Sequence, residues 1–408
     1  MDKIKYIDND ITKGIVIDWK IIFKELRKII KEVTKNNENK IYIPDYPINK
    51  ANWFIDLSER SVGKTTQLLL IGLLLYKHYG IKTEYIRDKY EQIAPKYSKD
   101  MWKVIIDYSY VEKIFGCYNE IEYKNRGWYL CKKENGKIIL KDENECCHMH
   151  CLTESDNAKS SYSSPFGDWI IYDEFIPVNG ITTEDKFISL CQLISTISRM
   201  RLSTKIVLSA NTINKYTQIF KELLIFDAIQ SMKKGDEKII TSDLGVNVYV
   251  HIINFESNVS EQRKKRNLLY FGFKNPRLES IIGGSEWETY NFPHLQKKEF
   301  NEKRETLVRN IFFEYMDKLL QFKIEYSTKI GLYGFVTQYT GNRDYDTMII
   351  YTLEQISDKR CRYGLGSGNK IDKLIEKLLK GKQVFYATNY EGNIMNQYLK
   401  EINTRIYK

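Results

Sequence analysis

The chain has 408 residues, of which 42% are hydrophobic and 28% are charged. This composition is typical of a folded protein with room for two domains, and it excludes a disordered chain. Seven cysteines are too few for a disulfide scaffold at this length. Residues 1–10 are rich in charge, unlike a signal peptide, and the longest apolar run, 68–76, is too short to span a bilayer. We therefore expect a cytosolic protein with no membrane partner.

The formal net charge is +10, which favours a polyanionic partner. The chain is also rich in Lys, Ile, Asn and Tyr, a bias that an AT-rich coding genome would produce by itself. Net charge does not say where the basic groups lie, so both explanations remain open.

Periodicity in the first half predicts an α/β domain built on a mostly parallel sheet. Apolar residues at helical spacing predict an amphipathic helix over residues 18–35. A strand over 53–57, a buried helix over 66–79 and a strand over 83–87 then form a strand–helix–strand unit. An Asn-Gly turn at 135–136 predicts a hairpin. Further strands are predicted over 148–152, 169–172 and 205–209, and helices over 184–198 and 216–230.

Turn residues without periodicity divide the chain in two. We expect a first domain over residues 1–265, a linker over 266–300 and a smaller α+β domain over 301–408. The second domain is predicted to hold a strand-rich block over 324–352. Helices are predicted over 370–379 and 394–402.

A phosphate-binding loop is predicted directly after the first strand. Its sequence is Ser58-Glu59-Arg60-Ser61-Val62-Gly63-Lys64-Thr65, followed by Thr66 at the start of a helix. The last three residues match the G-K-[ST] pattern, in which backbone amides wrap the phosphates, lysine neutralises their charge and the hydroxyl binds Mg²⁺. Serine replaces the first glycine of the pattern. The strand–turn–helix setting supports ATP binding over a simple glycine turn.

Two acidic residues end the strand predicted over 169–172. Asp173 would lie at the carboxyl edge of the sheet, where it can reach Mg²⁺ through water. Glu174 could then orient and deprotonate an attacking water molecule. Both motifs occur in the order that a nucleotide hydrolase requires, which favours this interpretation over an acidic turn.

Three polar residues near the next strand have two interpretations each. Asn211 follows that strand and could sense the γ-phosphate or cap the following helix. Arg199 and Arg201 end a predicted helix, where they could complement the helix dipole or stabilise transition-state charge in a neighbouring subunit.

The run Cys146-Cys147-His148-Met149-His150-Cys151 contains zinc-ligand types. Alternation along a strand divides these side chains between two faces, and no second ligand pair follows at finger spacing. A buried strand is therefore favoured over a metal site.

These residues together resemble the DNA-packaging ATPases of small protein-primed podophages, which are related to terminase large subunits. The resemblance runs from residue 53 to the C-terminus. It depends on Arg60, Tyr85-Ile86-Arg87, Lys159-Ser160, Asp173-Glu174-Phe175-Ile176, Thr196-Ile197-Ser198-Arg199 and Leu208-Ser209-Ala210-Asn211.

The resemblance implies a P-loop ATPase domain of the ASCE type that uses ATP and Mg²⁺ to move double-stranded DNA into a preformed capsid. It implies a homomeric ring, typically a pentamer, at the portal of the procapsid in the bacterial cytoplasm, with a structural RNA as one possible bridge. It matches Arg199 with a finger acting in trans, in preference to Arg201, and Lys159 with a residue that senses nucleotide. Arg60 and Arg87 match less specifically.

The C-terminal block resembles a degenerate RNase H-like domain. Its candidate carboxylates do not form a convincing two-metal set, so we expect no nuclease activity. These carboxylates are Glu325, Asp344, Asp346 and Asp372. Basic and aromatic residues there suggest a contact with phosphate backbone or RNA, namely Lys359, Arg360, Arg362, Tyr363 and 364–368. The alternatives to a packaging motor are a helicase-like motor and a scaffold that binds nucleotide without hydrolysis.

Overall fold

The strands of the first unit form one nine-stranded sheet in a computed structural model of the chain. The described residues are 15–34, 42–59, 62–154, 167–176, 184–199, 201–211, 215–255, 262, 265, 269, 292–295, 306–344, 347–353, 361–365 and 368–406. The strands are β1 (Trp53–Ser58), β2 (Thr83–Arg87), β3 (Glu120–Lys124), β4 (Gly127–Glu134), β5 (Lys137–Cys151), β6 (Trp169–Asp173), β7 (Lys205–Asn211), β8 (Glu237–Thr241) and β9 (Asn247–Ile252).

The order of these strands is β3-β4-β5-β2-β6-β7-β1-β9-β8. All neighbours from β5 through β9 are parallel, and antiparallel strands close the two edges. Strands β1 and β6 are almost wholly buried, as a sheet covered on both faces requires. The predicted parallel α/β domain is confirmed. Because the central strands are parallel, β1, β7, β6 and β2 all end at one edge of the sheet.

The helices described in this half of the chain are α1 (Trp19–Thr34), α2 (Lys64–Tyr79), α3 (Tyr90–Ile93), α4 (Pro95–Asp107), α5 (Tyr110–Phe115), α6 (Glu184–Ser198), α7 (Gln218–Glu222) and α8 (Phe226–Ser231). Helix α2 is buried between its first turn and Leu75, because it packs against the sheet and α1. It ends at Gly80, whose φ of 66° is a left-handed conformation that glycine adopts at little cost. No helix in the described ranges is long and apolar enough to cross a bilayer.

Helix α1 belongs to the core that covers this face of the sheet. Its Trp19 ring lies 5.7 Å from the ring of Trp169 on β6. The apolar stripe predicted over 18–35 is buried at Ile22, Leu26 and Ile30. The helix therefore packs on the main sheet, as the periodicity suggested.

One predicted helix, over residues 216–230, is wrong. The segment contains two short helices, α7 and α8, separated by Leu224 in a left-handed conformation with φ of 57°. Periodicity could not show this break, because the residues around it are apolar on both sides. The division of the chain into two units also falls here, since 216–221 group with 289–408 and the remainder with 1–288.

The second unit has a six-stranded sheet in the order β14-β13-β10-β11-β12-β15. Its elements are β10 (Thr306–Tyr315), β11 (Lys318–Ser327), β12 (Gly331–Gln338), β13 (Ile350–Thr352), β14 (Cys361–Tyr363), α9 (Lys370–Lys380), β15 (Val384–Tyr386) and α10 (Asn389–Ile406). The strand-rich block begins at residue 306, earlier than predicted. The smaller α+β domain is confirmed, and most of the predicted linker lies outside the described residues.

Replacing Gly72 in α2 by alanine should destabilise the first unit. Alanine normally stabilises a helix interior relative to glycine by about 1 kcal/mol. Here the added Cβ would lie 2.0 Å from Oγ1 of Thr83, a stiff β-branched side chain on β2. We expect the free energy of unfolding to fall by about 1–3 kcal/mol in urea titrations. Ser195→Ala on the exposed face of α6 is the control, and a more stable Gly72→Ala protein would contradict the prediction.

Candidate nucleotide site

The phosphate loop joins the end of β1 to the start of α2. Gly63 has φ of 90° and ψ of 17°, a left-handed conformation that turns the chain into the helix. Helix α2 begins at Lys64, so its free backbone amides and positive dipole end point to the space above β1. That is the arrangement an anionic phosphate group requires.

Lys64 is held over the end of β1 by oxygen atoms from two strands. Its Nζ donates to the hydroxyl of Ser58, to the carbonyl oxygen of Glu59 at 3.3 Å and to Oδ1 of Asn211 at 3.5 Å. Ser58 is the last residue of β1 and pairs in register with Asn211 on β7. Ser58 thus belongs to the strand rather than to the loop, where the sequence pattern had assigned it. Serine in place of glycine supplies a hydroxyl that positions the lysine.

A hydroxyl and a carboxylate meet beside this lysine. Thr65 donates from Oγ1 to Oδ2 of Asp173 at 2.8 Å, joining the start of α2 to the end of β6. Tyr85 on β2 donates to the same carboxylate oxygen at 2.7 Å. Oxygen ligands of this kind suit Mg²⁺, which keeps several of its water molecules in nucleotide sites. The residues present therefore fit a magnesium ion held by Thr65 and Asp173.

Arg87, at the end of β2, contacts both acidic residues that follow β6. Its guanidinium lies 3.4 Å from Oδ2 of Asp173 and 2.5 Å from Oε2 of Glu174. Burial by itself would lower the pKa of Arg87, but Tyr85 and the two carboxylates offset this and raise it above its usual value. Arg87 therefore stays charged and neutralises both acids.

Glu174 combines exposure with an unusual backbone. Its side chain is 51% exposed, whereas that of Asp173 is 6% exposed. Its φ is 55°, and its amide donates to Oδ1 of Asp173 at 3.1 Å. This turn points a carboxylate away from the sheet while fixing its backbone to the metal-site carboxylate. A cleft of about 590 Å³ beside both acids is also lined by Thr66 and Arg87.

The remaining predicted loop residues have varied positions. Glu59 pairs with Lys234, whose Nζ lies 2.5 Å from its carboxylate, and Val62 is buried. Arg60, Ser61 and Lys159 lie outside the described residues, so their assignments remain predictions.

The two arginines after α6 differ in their environments. Arg201 lies 3.0 Å from Asp168 through Nε and donates to the carbonyl oxygens of Gly167 and Ile197 at 3.2 and 2.7 Å. Arg199 is exposed, with φ of 50°. Arg201 therefore has an internal structural partner, which supports the choice of Arg199 as the residue available to another molecule.

The Cys-His run forms the buried end of β5. Cys146 donates to the carbonyl oxygen of Trp128 at 3.2 Å, and Nε2 of His150 lies 2.6 Å from Oε2 of Glu84. Burial raises the pKa of the Cys146 thiol. Within the described ranges no group of three or more ligand-type side chains could hold a metal ion.

The candidate carboxylates of the second unit have separate hydrogen-bond partners. Glu325 accepts from Tyr333, Asp344 from Thr347, and Asp372 from Tyr351. Asp346 lies outside the described residues, as do Lys359 and Arg360. Arg362, suggested as a phosphate contact, lies 3.8 Å from Asp372 and so has an internal partner.

Comparison with known proteins gave matches at the level of structure. No family model and no curated protein sequence matches the chain. The bacteriophage Phi-29 viral genome packaging motor assembly is similar with a TM-score of 0.53 and 14% identity, over 88% of this chain and 100% of that one. The Phi-28 gp11 DNA packaging motor matches at 0.49 and 16% identity, over 86% and 95%. A large terminase from a thermophilic bacteriophage matches at 0.38 and 11% identity, over 93% and 86%.

The first unit has the fold of a P-loop ATPase domain, with strand β7 between the strands that carry Lys64's loop and Asp173. Within that class, the chain as a whole has the fold of the Phi-29 packaging motor. The resemblance predicted from the sequence is confirmed at the level of the fold. At 14% identity the likeness establishes the fold, and the chemistry must be argued from the site residues.

The sequence did not reveal the contacts of Tyr85 and Arg87. Both had appeared in the family resemblance, but Tyr85 had no assigned role and Arg87 only a weak one. A signal was present, because alternation places both residues on one face of β2. What was missing was the position of β2 directly beside β6.

Replacing Arg87 by glutamine should destabilise the protein in a way that Mg²⁺ partly reverses. Loss of the guanidinium leaves Asp173 buried without its cation, which should lower the free energy of unfolding by about 1–3 kcal/mol. Added Mg²⁺ should then stabilise the variant more than the wild type, since it can replace the lost charge. Urea titrations with and without Mg²⁺ measure both effects. In the control Arg27→Gln, the exposed pair with Asp45 should contribute about 0–1 kcal/mol and show no added Mg²⁺ response.

Proposed function

We propose that this protein is an ATP-hydrolysing motor subunit that moves double-stranded DNA into a preformed phage capsid. The observation that carries the proposal is the contact between Thr65 and Asp173, with Lys64 and Glu174 adjacent to them in the chain. It joins the two motifs of a nucleotide hydrolase at one edge of the sheet. The shared fold with the Phi-29 packaging motor supports the choice of DNA packaging among the uses of such a site.

Each residue of the site then has a chemical role. The amides at the start of α2 bind the phosphates, and Lys64 exchanges its contacts with Ser58 and Asn211 for phosphate oxygens. Mg²⁺, held by Thr65 and Asp173, supplies positive charge to the phosphoryl group that is transferred.

Glu174 acts as the general base for the attacking water molecule. Its carboxylate must first leave Arg87, because an ion-paired carboxylate is a weaker base. Asn211, within 3.5 Å of Nζ of Lys64, is placed to respond when the γ-phosphate departs.

Partners follow from the same proposal. The net charge of +10 suits a chain that contacts DNA through phosphates, without reading its sequence. A homomeric ring, with five subunits as the family resemblance implies, would form at the portal of the procapsid in the host cytoplasm. The exposed Arg199 would there act on the nucleotide of a neighbouring subunit, and a structural RNA remains one way of joining ring and portal.

Steady-state ATP hydrolysis with and without double-stranded DNA tests the central claim. We expect DNA to stimulate the wild type, and Glu174→Gln to lower the rate by about 100-fold or more through loss of the general base. Glu325→Gln, a carboxylate in the second unit that accepts from Tyr333 at 2.7 Å, is the matched control and should hydrolyse normally. Hydrolysis that is indifferent to DNA, or equal rates in Glu174→Gln and wild type, would contradict the proposal.

Mixed rings test whether Arg199 acts in trans. Arg199→Ala and Glu174→Gln subunits should each be inactive alone. Mixed together they should recover part of the hydrolysis rate, because some sites combine an intact base with a neighbour's intact arginine. Replacing Arg199→Ala by Arg201→Ala in the mixture is the comparison, since Arg201 is held internally by Asp168. Absence of recovery at every mixing ratio would contradict a role in trans.

A further inference from the structure

A buried carboxylate, Asp56, lies in the middle of the strand that leads to the phosphate loop. Asp56 is 1% exposed, and it is flanked in register by Ser209 on β7 and by His251 on β9. Ser58 follows two residues later on the same face of β1, about 6.6 Å further along the strand. Asp56 therefore lies one layer beneath the residue that holds Lys64.

Several polar atoms around this layer have no hydrogen-bond partner among the described residues. The hydroxyl of Tyr46 donates to Oδ2 of Asp56, but Oδ1 of Asp56 has no donor. The hydroxyl of Ser209 and both amide atoms of Gln67, one turn after Lys64 on α2, are also unpartnered and buried. Buried polar groups without partners are rare, and they concentrate where charge or protons change during function.

The groups acting on Asp56 come from each element around it. The segment before β1 contributes Tyr46, α2 contributes Lys64, and β9 contributes His251 in register. Glu237 on β8 acts on Asp56 from further away, and Tyr42 and Tyr249 are buried phenols in the same cluster. Burial lowers the pKa of His251, so this neighbour is neutral near pH 7.

The resulting charge balance places Asp56 near its titration midpoint. Burial raises the pKa of Asp56 to about 7, although the bond from Tyr46 and the charge of Lys64 both act to lower it. Lys64 is the one cation that acts on Asp56 among the groups named. A ligand that engages the charge of Lys64 therefore removes part of what keeps Asp56 ionised.

We propose that Asp56 is a positioning residue for Lys64 that takes up a proton when nucleotide phosphates bind the lysine. Before binding, the carboxylate balances the ammonium charge beneath the loop. On binding, the phosphates replace Asp56 as the counter-charge, and a proton from the buffer binds the carboxylate at Oδ1. This inference deepens the proposed function and rests on it, because it requires a nucleotide on Lys64.

Proton uptake on binding of MgADP is the direct test. Calorimetric titration at pH 7.5 in buffers of different ionisation enthalpy gives the number of protons bound per nucleotide. We expect about 0.5 more protons for the wild type than for Asp56→Asn, whose amide cannot titrate. Subtracting the variant also removes protons that the nucleotide itself exchanges. Asp372→Asn is the matched control, since Asp372 is likewise buried and bonded to a tyrosine, and it should retain the full uptake.

The affinity should show the same linkage. A group that binds its proton more tightly in the complex favours binding at low pH, and this gain is lost as pH rises. Between about pH 6.5 and pH 8.5 we expect the wild-type affinity for MgADP to fall by about sixfold more than that of Asp56→Asn. Tyr46→Phe provides a second variant. It removes a bond that lowers the pKa of Asp56, so the fall in affinity should move to higher pH.

The outcomes separate the two claims. A wild-type protein that does not bind MgADP would overturn the proposed function and the role of Asp56 with it. Binding with equal proton uptake in wild type and Asp56→Asn, and an unmoved pH dependence in Tyr46→Phe, would leave the nucleotide site intact and overturn the inference alone.

Discussion

The hydrogen bond between Thr65 and Asp173 depends on one constraint, which is that α2 must begin where β1 ends. A buried parallel strand needs a helix to cover it, and the turn at Gly63 allows that helix to start without delay. The start of α2 then lies beside the end of β6, although β7 separates β6 from β1. Packing of the sheet thus brings two distant parts of the sequence into one site.

Charge balance is the second feature on which the site depends. Two acids at the end of β6 are matched by Arg87, and Lys64 is held by neutral oxygens from Ser58, Glu59 and Asn211. The cations therefore have different partners, because one lies with carboxylates and the other with groups that release it readily. A charged ligand with its metal ion would disturb both arrangements at once, which is a physical route from nucleotide binding to movement of β2 and β7.

The irregular features of the sequence become understandable in this setting. Serine at position 58 departs from the glycine pattern, yet its hydroxyl accepts from Lys64. Aspartate at position 56 interrupts an apolar strand, yet it lies beneath the same lysine. Both residues are polar substitutions in a buried strand, and both adjust the environment of one ammonium group.

The sequence by itself determined the elements and the two motifs. Strand ends, the left-handed glycine and the order of lysine and acids are local patterns, since each follows from a few neighbouring residues. Only the tertiary structure decided which strands are neighbours, and hence that Arg87 contacts Asp173 and Glu174 and that Arg201 is held by Asp168. It also decided that Asp56 lies between Ser209 and His251. Strand order and register join residues that are far apart in the chain, and periodicity within one segment carries no information about them.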